Sequence, residues 1–145
     1  MSVMSLDWTE IRCPGTAPKL RVLLAEDHPV NQKIAARILR KAGCWVDIVS
    51  TGREAVNAAS SGAYDLVLMD CMMPEMDGYE AAAAIRRLEG AKGRIPIVAM
   101  TANAAEGDRD RCLAAGMSDY ISKPVPADAL LRCIQRWAQV NRREF

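Results

Sequence analysis

The hydrophobic positions form short apolar runs that alternate with longer segments in which apolar residues recur every three or four positions. The runs are rich in Leu, Ile and Val and lack polar alternation, which is typical of strands buried on both faces. They lie at residues 20–25, 45–49, 66–69, 95–100 and 120–121. Five such strands alternating with five helical segments predict an α/β fold with a doubly wound parallel sheet covered on both faces.

We expect the helical segments to differ in how tightly they pack against the core. The first begins at Pro29, which suits a first helical turn, and its apolar stripe is expected to face the core. That stripe consists of Val30, Ile34, Ile38 and Leu39. The fourth, at about residues 104–115, is polar and contains Gly107, so it should be weakly held. The last, at about residues 127–139, carries a clear apolar stripe.

The ends of the chain differ from its centre. Residues 1–19 are expected to be an N-terminal extension that ends in a Pro- and Gly-containing linker, residues 20–140 the domain, and residues 141–145 a polar tail. The 145 residues suit one ordinary domain. No apolar stretch approaches membrane-spanning length.

Composition narrows the function classes. The formal net charge is +1, which gives no bulk basic footprint for nucleic acid. The five cysteines form no Cys-x-x-Cys pair and there is one histidine, so neither a zinc site nor a disulfide framework is expected. Cys71 is expected to be an inert packing thiol, and His28 to belong to a loop or helix start.

Polar residues stand where the predicted strands end. Glu26 and Asp27 follow the first strand, Asp70 the third, Thr101 the fourth and Lys123 the fifth. The carboxyl ends of parallel strands share one edge of a sheet, where open α/β folds place their chemistry.

Three carboxylates at one edge repel each other. A close like-charge pair costs about 4 kcal/mol at an effective dielectric of about 20, and one lysine cannot offset that repulsion. A divalent cation can, and clustered hard oxygen ligands suit Mg²⁺.

Together with this pattern, several short motifs in the chain are similar to those of a known family. Residues 20–140 contain Glu26-Asp27, Met69-Asp70-Cys71-Met72-Met73-Pro74 with Asp77-Gly78, Thr101-Ala102, and Tyr120-Ile121-Ser122-Lys123-Pro124. With these motifs the chain resembles the receiver domain of two-component response regulators, most of all the receivers fused to hybrid sensor histidine kinases. The resemblance implies a flavodoxin-like fold with strand order 2-1-3-4-5.

The resemblance also implies roles for individual residues. Asp70 would accept the phosphoryl group. Asp27, Asp70 and the Met72 carbonyl would bind Mg²⁺, with Glu26 acting through water. Lys123, the Thr101 hydroxyl and the Ala102 amide would contact phosphoryl oxygens. Thr101 and Tyr120 would form the conformational switch, and the Lys123–Pro124 bond would be cis.

The implied partner is a sensor histidine kinase or a histidine phosphotransfer domain, for a monomer or weak homodimer that contacts neither nucleic acid nor membrane directly. The implied location is the cytoplasm, including the cytoplasmic part of a membrane-bound kinase. Beyond phosphotransfer to itself and its reversal, no enzymatic activity is expected.

Two alternatives stay open at this point. One is a Mg²⁺-dependent phosphohydrolase that forms an aspartyl phosphate, although the position of its general acid is Met72, which cannot transfer protons. The other is a flavin- or nucleotide-binding module, although Glu26-Asp27-His28-Pro29 after the first strand repels phosphate and lacks one amide.

Overall fold

The computed structural model describes residues 20–102 and 106–143. The predicted extension at residues 1–19 and the last two positions lie outside them. The strands are β1 (Arg21–Ala25), β2 (Trp45–Val49), β3 (Leu66–Asp70), β4 (Ile97–Thr101) and β5 (Asp119–Ser122). The helices are α1 (Pro29–Lys41), α2 (Gly52–Ser61), α3 (Gly78–Arg86), α4 (Glu106–Ala114) and α5 (Ala127–Arg143), with a 3-10 turn at Gly90–Arg94.

All strand pairs are parallel, and the order across the sheet is β2-β1-β3-β4-β5. This confirms the predicted doubly wound fold and its strand order. Alternate side chains of each strand point to opposite faces. In β1, Leu23 and Ala25 enter one core layer, and Val22 and Leu24 enter the other.

Local signals start two of the helices. Thr51 caps α2 by accepting a hydrogen bond from the Glu54 amide at 3.1 Å. Asp77 and Glu80 form a reciprocal capping box at the start of α3. Such caps satisfy amide groups that have no partner within the helix. The helix starts around the site are therefore encoded locally.

The apolar stripe predicted for α1 is partly wrong. Val30 and Ile34 are 56% and 52% exposed, whereas Ala36 and Leu39 are buried. The helix meets the sheet through the side that carries Ala36 and Leu39, so the turn nearest the carboxyl edge of the sheet leaves two β-branched side chains in solvent.

Two predicted boundaries shift by two or more residues. The strand β4 begins at Ile97 rather than at position 95, because the Ile95 carbonyl is bound at 2.6 Å by the Arg86 guanidinium and Pro96 has no amide hydrogen. The helix α5 continues to Arg143, past its predicted end at 139. Within the described ranges α4 begins at Glu106, and the predicted start at 104 lies outside them. In those ranges, no helix is long and apolar enough to cross a bilayer.

Candidate functional site

Three carboxylates meet at the carboxyl edge of the sheet. Glu26 and Asp27 follow β1, and Asp70 is the last residue of the neighbouring strand β3. One oxygen from each lies within 4.8 Å of the others. Glu26 and Asp70 are only 2% and 4% exposed, whereas Asp27 is exposed. The predicted convergence of these residues is therefore found.

Lys123 lies against two of these carboxylates. Its ammonium is 2.8 Å from Asp70 Oδ2 and 3.0 Å from Glu26 Oε1. Its backbone amide donates to the Thr101 carbonyl at 2.7 Å, which joins the end of β5 to the end of β4. The Lys123–Pro124 peptide bond is cis, as the family resemblance implied.

Backbone amides orient the buried carboxylates. The His28 amide donates to Glu26 Oε2 at 3.0 Å, and the Met72 amide donates to Asp70 Oδ1 at 3.2 Å. His28 is the N-cap residue of α1, as predicted from its place in the sequence. Each buried carboxylate therefore accepts from one ammonium and one amide, which fixes its direction.

The protonation equilibria of the site reflect burial and mutual charge. Burial raises the pKa of Asp70, and the adjacent Glu26 carboxylate adds to the rise. The hydrogen bonds from Lys123 and the Met72 amide oppose that rise without cancelling it. For Lys123, burial acts to lower the pKa, but the contacts with Asp70 and Glu26 outweigh it and raise the pKa overall.

Thr101 and Ala102 lie at the end of β4, next to β3 in the sheet. Thr101 is buried and Ala102 is exposed. Tyr120 lies within β5, opposite Ala99 of β4. It is half-buried and lines a groove of about 630 Å³ between β5 and α5. Tyr120 is thus beside the site rather than a member of the charged cluster.

The two residues that follow Asp70 differ in exposure. Met72 is 70% exposed, so its side chain does not enter the core. The Cys71 side chain is buried, and its amide donates to the Met100 carbonyl at 3.1 Å. Burial is the main cause that raises the pKa of Cys71 to about 12. This agrees with the predicted inert thiol.

Sequence reasoning missed what Gly78 does. The Asp77-Gly78 pair reads as a loop signal, but a Cβ at Gly78 would overlap the Asp70 carbonyl oxygen and lie 2.9 Å from the Cys71 Cα. The Gly78 amide donates to the Cys71 carbonyl at 2.9 Å. The start of α3 therefore lies directly on the backbone of Asp70, a contact that no local sequence signal reveals.

It also missed Gln32 and Cys112. The Gln32 side chain donates to the Glu26 carbonyl at 2.5 Å and to the Ser50 hydroxyl at 3.1 Å, which links the loops after β1 and β2. Cys112 of α4 is buried in the same core layer as Cys71. Both features join parts of the chain that are distant in sequence, so only the tertiary arrangement shows them.

Comparison with known proteins gives one consistent family. The family model for the response regulator receiver domain matches residues 22–135. Hybrid signal transduction histidine kinase B of Dictyostelium discoideum is 42% identical over 127 residues, which cover 80% of this chain and 6% of that protein. The chain therefore spans a small part of the length of this relative.

Solved structures agree with the sequence relatives. The receiver domain of sensor histidine kinase PA1611 from Pseudomonas aeruginosa, with a magnesium ion coordinated in its active site cleft, is 47% identical with a TM-score of 0.77, covering 83% of this chain and 98% of that chain. The receiver domain of Ssk1 from Saccharomyces cerevisiae, crystallised with the histidine phosphotransfer protein Ypd1, belongs to a match that is 36% identical with a TM-score of 0.76. That match covers 83% of this chain and 89% of the other.

Proposed function

Since the chain belongs to the response regulator receiver domain family and so to two-component phosphorelay signalling, we propose that Asp70 is its phosphoacceptor. The observation that carries this proposal is the position of Asp70, a buried carboxylate grouped with Glu26 and Asp27 and bonded to Lys123. In the transfer, the phosphorus–nitrogen bond of a phosphohistidine breaks and a phosphorus–oxygen bond to Asp70 forms. The donor imidazole leaves with the electron pair of the broken bond.

The carboxylate cluster fits Mg²⁺. Its ligand atoms are hard oxygens close enough to share one ion, which is the donor set that Mg²⁺ prefers. The carboxylates of Asp27 and Asp70 and the Met72 carbonyl would bind it, with Glu26 holding a metal-bound water. The ion would neutralise charge on the phosphoryl oxygens, which matters because phosphoryl transfer depends mainly on positioning and electrostatics.

Protein groups around Asp70 complete the phosphoryl site. Lys123 already contacts the Asp70 carboxylate at 2.8 Å and would move with little change to a phosphoryl oxygen. The Thr101 hydroxyl and the Ala102 amide, at the end of the adjacent strand, would bind the remaining oxygens. The backbone bond between Lys123 and the Thr101 carbonyl keeps the two groups in register.

An activity on outside substrates is disfavoured by the residue two positions after Asp70. A phosphohydrolase would need a proton donor there, and Met72 has none. A flavin or nucleotide phosphate is disfavoured by Glu26, whose carboxylate takes the His28 amide that a phosphate would need. The domain is thus a phosphoacceptor whose own residues catalyse phosphorylation and its reversal.

The partner is a protein that carries phosphohistidine. The Ypd1–Ssk1 complex supports a histidine phosphotransfer domain, and the relatives among hybrid kinases support a sensor kinase. We further propose that this domain acts in the cytoplasm as a monomer or weak homodimer.

Intact mass spectrometry tests the assignment. Acetyl phosphate with Mg²⁺ should add one phosphoryl group to the wild-type chain, since Asp70 is the single proposed acceptor and its carboxylate contacts Lys123. Asp70→Asn should add none, and Asp47→Asn, at an exposed carboxylate bonded to Tyr64, should behave as wild type. Labelling of Asp70→Asn at the wild-type rate would overturn the proposal.

A further inference from the structure

A basic groove lies between the helix α1 and the strand β2. It has a volume of about 510 Å³, and its lining combines two apolar side chains with four cations: Ala36 and Ile48, and Lys33, Arg37, Arg40 and Lys41. Within the described part of the chain, no acidic residue lines this groove, and none of the four cations forms an ion pair with a carboxylate. The groove therefore presents positive charge that the described residues do not neutralise.

The dipole of α1 explains only half of this charge. Arg40 and Lys41 are in the last turn of the helix, where the dipole favours a cation. Lys33 and Arg37 precede that turn, and the effect of the dipole falls off within the terminal turns. Because all four cations nevertheless line the same groove, the positive stripe is a property of this surface and not of the helix end.

Among the described strands, β2 is at the edge of the sheet and has β1 as its neighbour. The Trp45 amide donates to the Leu20 carbonyl at 2.9 Å, and the Val49 carbonyl accepts from the Glu26 amide at 3.0 Å. In a parallel ladder, every second residue directs both of its backbone groups to the same neighbouring strand. The first, third and fifth residues of β2 therefore face β1, and the second and fourth face the open side.

The two residues that face the open side are Val46 and Ile48. The Val46 carbonyl accepts a hydrogen bond from the Arg40 guanidinium at 3.2 Å, which agrees with this direction. The Val46 amide and both backbone groups of Ile48 lie along the same edge, and Ile48 is 37% exposed. An open strand edge is a template for an extended chain. The Arg40 guanidinium, which has five N–H groups, keeps donors for a carboxylate.

We propose that this groove binds an extended acidic segment of a partner protein, which adds as a strand to the open edge of β2. The backbone of the segment pairs with Ile48, and its carboxylates on the side of α1 contact the four cations. In strand addition, backbone bonds supply affinity and side-chain contacts supply specificity. Opposite charge selects the segment, since a basic segment, or the same edge of a second copy, brings like charges together.

Fluorescence anisotropy on the full chain tests the charge requirement. The probe is a fluorescein-labelled peptide of alternating Glu and Thr, and the control probe has Lys in place of Glu. The acidic probe should bind and the basic probe should not, and added salt should weaken binding because it screens exposed charges. Failure of the acidic probe to bind, or equal affinity for both probes, would overturn the proposal.

Charge reversal in the groove tests the location. The double variant Arg37→Glu with Lys41→Glu should bind the acidic probe about tenfold more weakly, as expected for two exposed charges. The matched control, Arg109→Glu with Arg132→Glu, changes the net charge equally at exposed positions outside the groove and should bind like wild type. Equal affinity of the two double variants would show that the probe binds elsewhere.

Amide hydrogen exchange tests the strand pairing. The acidic probe should slow exchange of the Ile48 amide, which gains a partner, and should leave the Trp45 amide unchanged because it already donates to Leu20. Unchanged exchange at Ile48 with saturating probe would overturn strand addition, even where the probe binds.

Other occupants of the groove would give different results. A single-stranded oligonucleotide or a phosphatidylserine vesicle that binds through Arg37 and Lys41 more tightly than the acidic probe would replace the protein segment with a nucleic acid or a membrane. Slower exchange of the Ile48 amide at higher chain concentration, without any probe, would assign the edge to a second copy of this chain. Each of these results would overturn the proposal.

Discussion

Opposing interactions act on the protonation equilibrium of Asp70. Burial and the neighbouring Glu26 favour its neutral form and raise its pKa, whereas Lys123 and the Met72 amide favour the carboxylate. Glu26 and Asp70 share the one ammonium, at 3.0 and 2.8 Å. The cluster is therefore held by Lys123, and removing that residue leaves two buried carboxylates without a counter-charge.

We expect Lys123→Ala to lower the free energy of unfolding at neutral pH by about 3 kcal/mol, as for other broken buried pairs. Urea unfolding measures the change. Breaking the exposed Arg132–Asp128 pair with Arg132→Ala is the matched control and should change stability little.

The stability lost in Lys123→Ala should become smaller as the pH falls. A carboxyl whose pKa is higher in the folded than in the unfolded state binds its proton more tightly when folded, so Asp70 contributes more stability as pH decreases toward the ordinary carboxyl range. A loss in Lys123→Ala that is the same at neutral and mildly acidic pH would contradict this account of the cluster.

Metal binding is a second residue-scale prediction. Mg²⁺ that binds only the folded chain should stabilise it by about 1.4 kcal/mol at tenfold its dissociation constant. Asp27→Ala removes the exposed ligand of the cluster and should abolish this response in a thermal melt. Asp47→Ala, at a carboxylate outside the cluster, should keep it. A full Mg²⁺ response in Asp27→Ala would show that the metal binds elsewhere.

At the element scale, the strands β4 and β5 connect the site to the surface. Thr101 ends β4 and is buried, and Tyr120 lies on β5 opposite Ala99. The helix between these strands is α4, whose described side chains give it little packing. A pull on the Thr101 hydroxyl can therefore shift α4 and β5 together.

Thr101→Ala should accept phosphate at Asp70 but respond less at Tyr120. Its lost hydroxyl removes the differential contact that a two-state switch requires. Beryllofluoride-induced NMR shifts around Tyr120 measure the response. Thr51→Ala, which removes the cap of α2 at a cost of about 1 kcal/mol, should leave that response intact. Equal shifts in Thr101→Ala and wild type would rule out the coupling.

At the scale of the whole molecule, exposed apolar side chains lie beside the edge of the sheet that carries the proposed site. Val30 and Ile34 lie one turn apart on α1, just after Glu26 and Asp27, and both are largely exposed. Under the proposed function, a donor protein brings its phosphohistidine to Asp70 at this edge. The exposed side chains of α1 are therefore in position to contact such a donor.

Ile34→Asp should slow phosphotransfer from a phosphorylated histidine phosphotransfer protein about tenfold, equivalent to about 1.4 kcal/mol of lost contact. Labelling by acetyl phosphate should not change, because that donor needs no protein surface. Leu113→Asp, at an equally exposed leucine on α4, is the control and should transfer normally. Slower labelling from both donors in Ile34→Asp would point to a damaged site instead of a lost surface.

The sequence alone determined the order of the elements, the parallel sheet and the strand-end residues of the site. These follow from short apolar runs, helix-start signals such as Pro29, and the rule that parallel strands end at one edge. Each is a property of a segment, so periodicity and neighbouring residues encode it.

Only the tertiary structure decided which surfaces pair. It left Val30 and Ile34 in solvent, laid Gly78 on the Asp70 backbone, and buried Cys112 in the core layer that contains Cys71. These contacts depend on how helices dock on the sheet, and a helix with several small or apolar positions can dock through more than one side. Side chains distant in the chain then become neighbours through packing, for which a local pattern carries no signal.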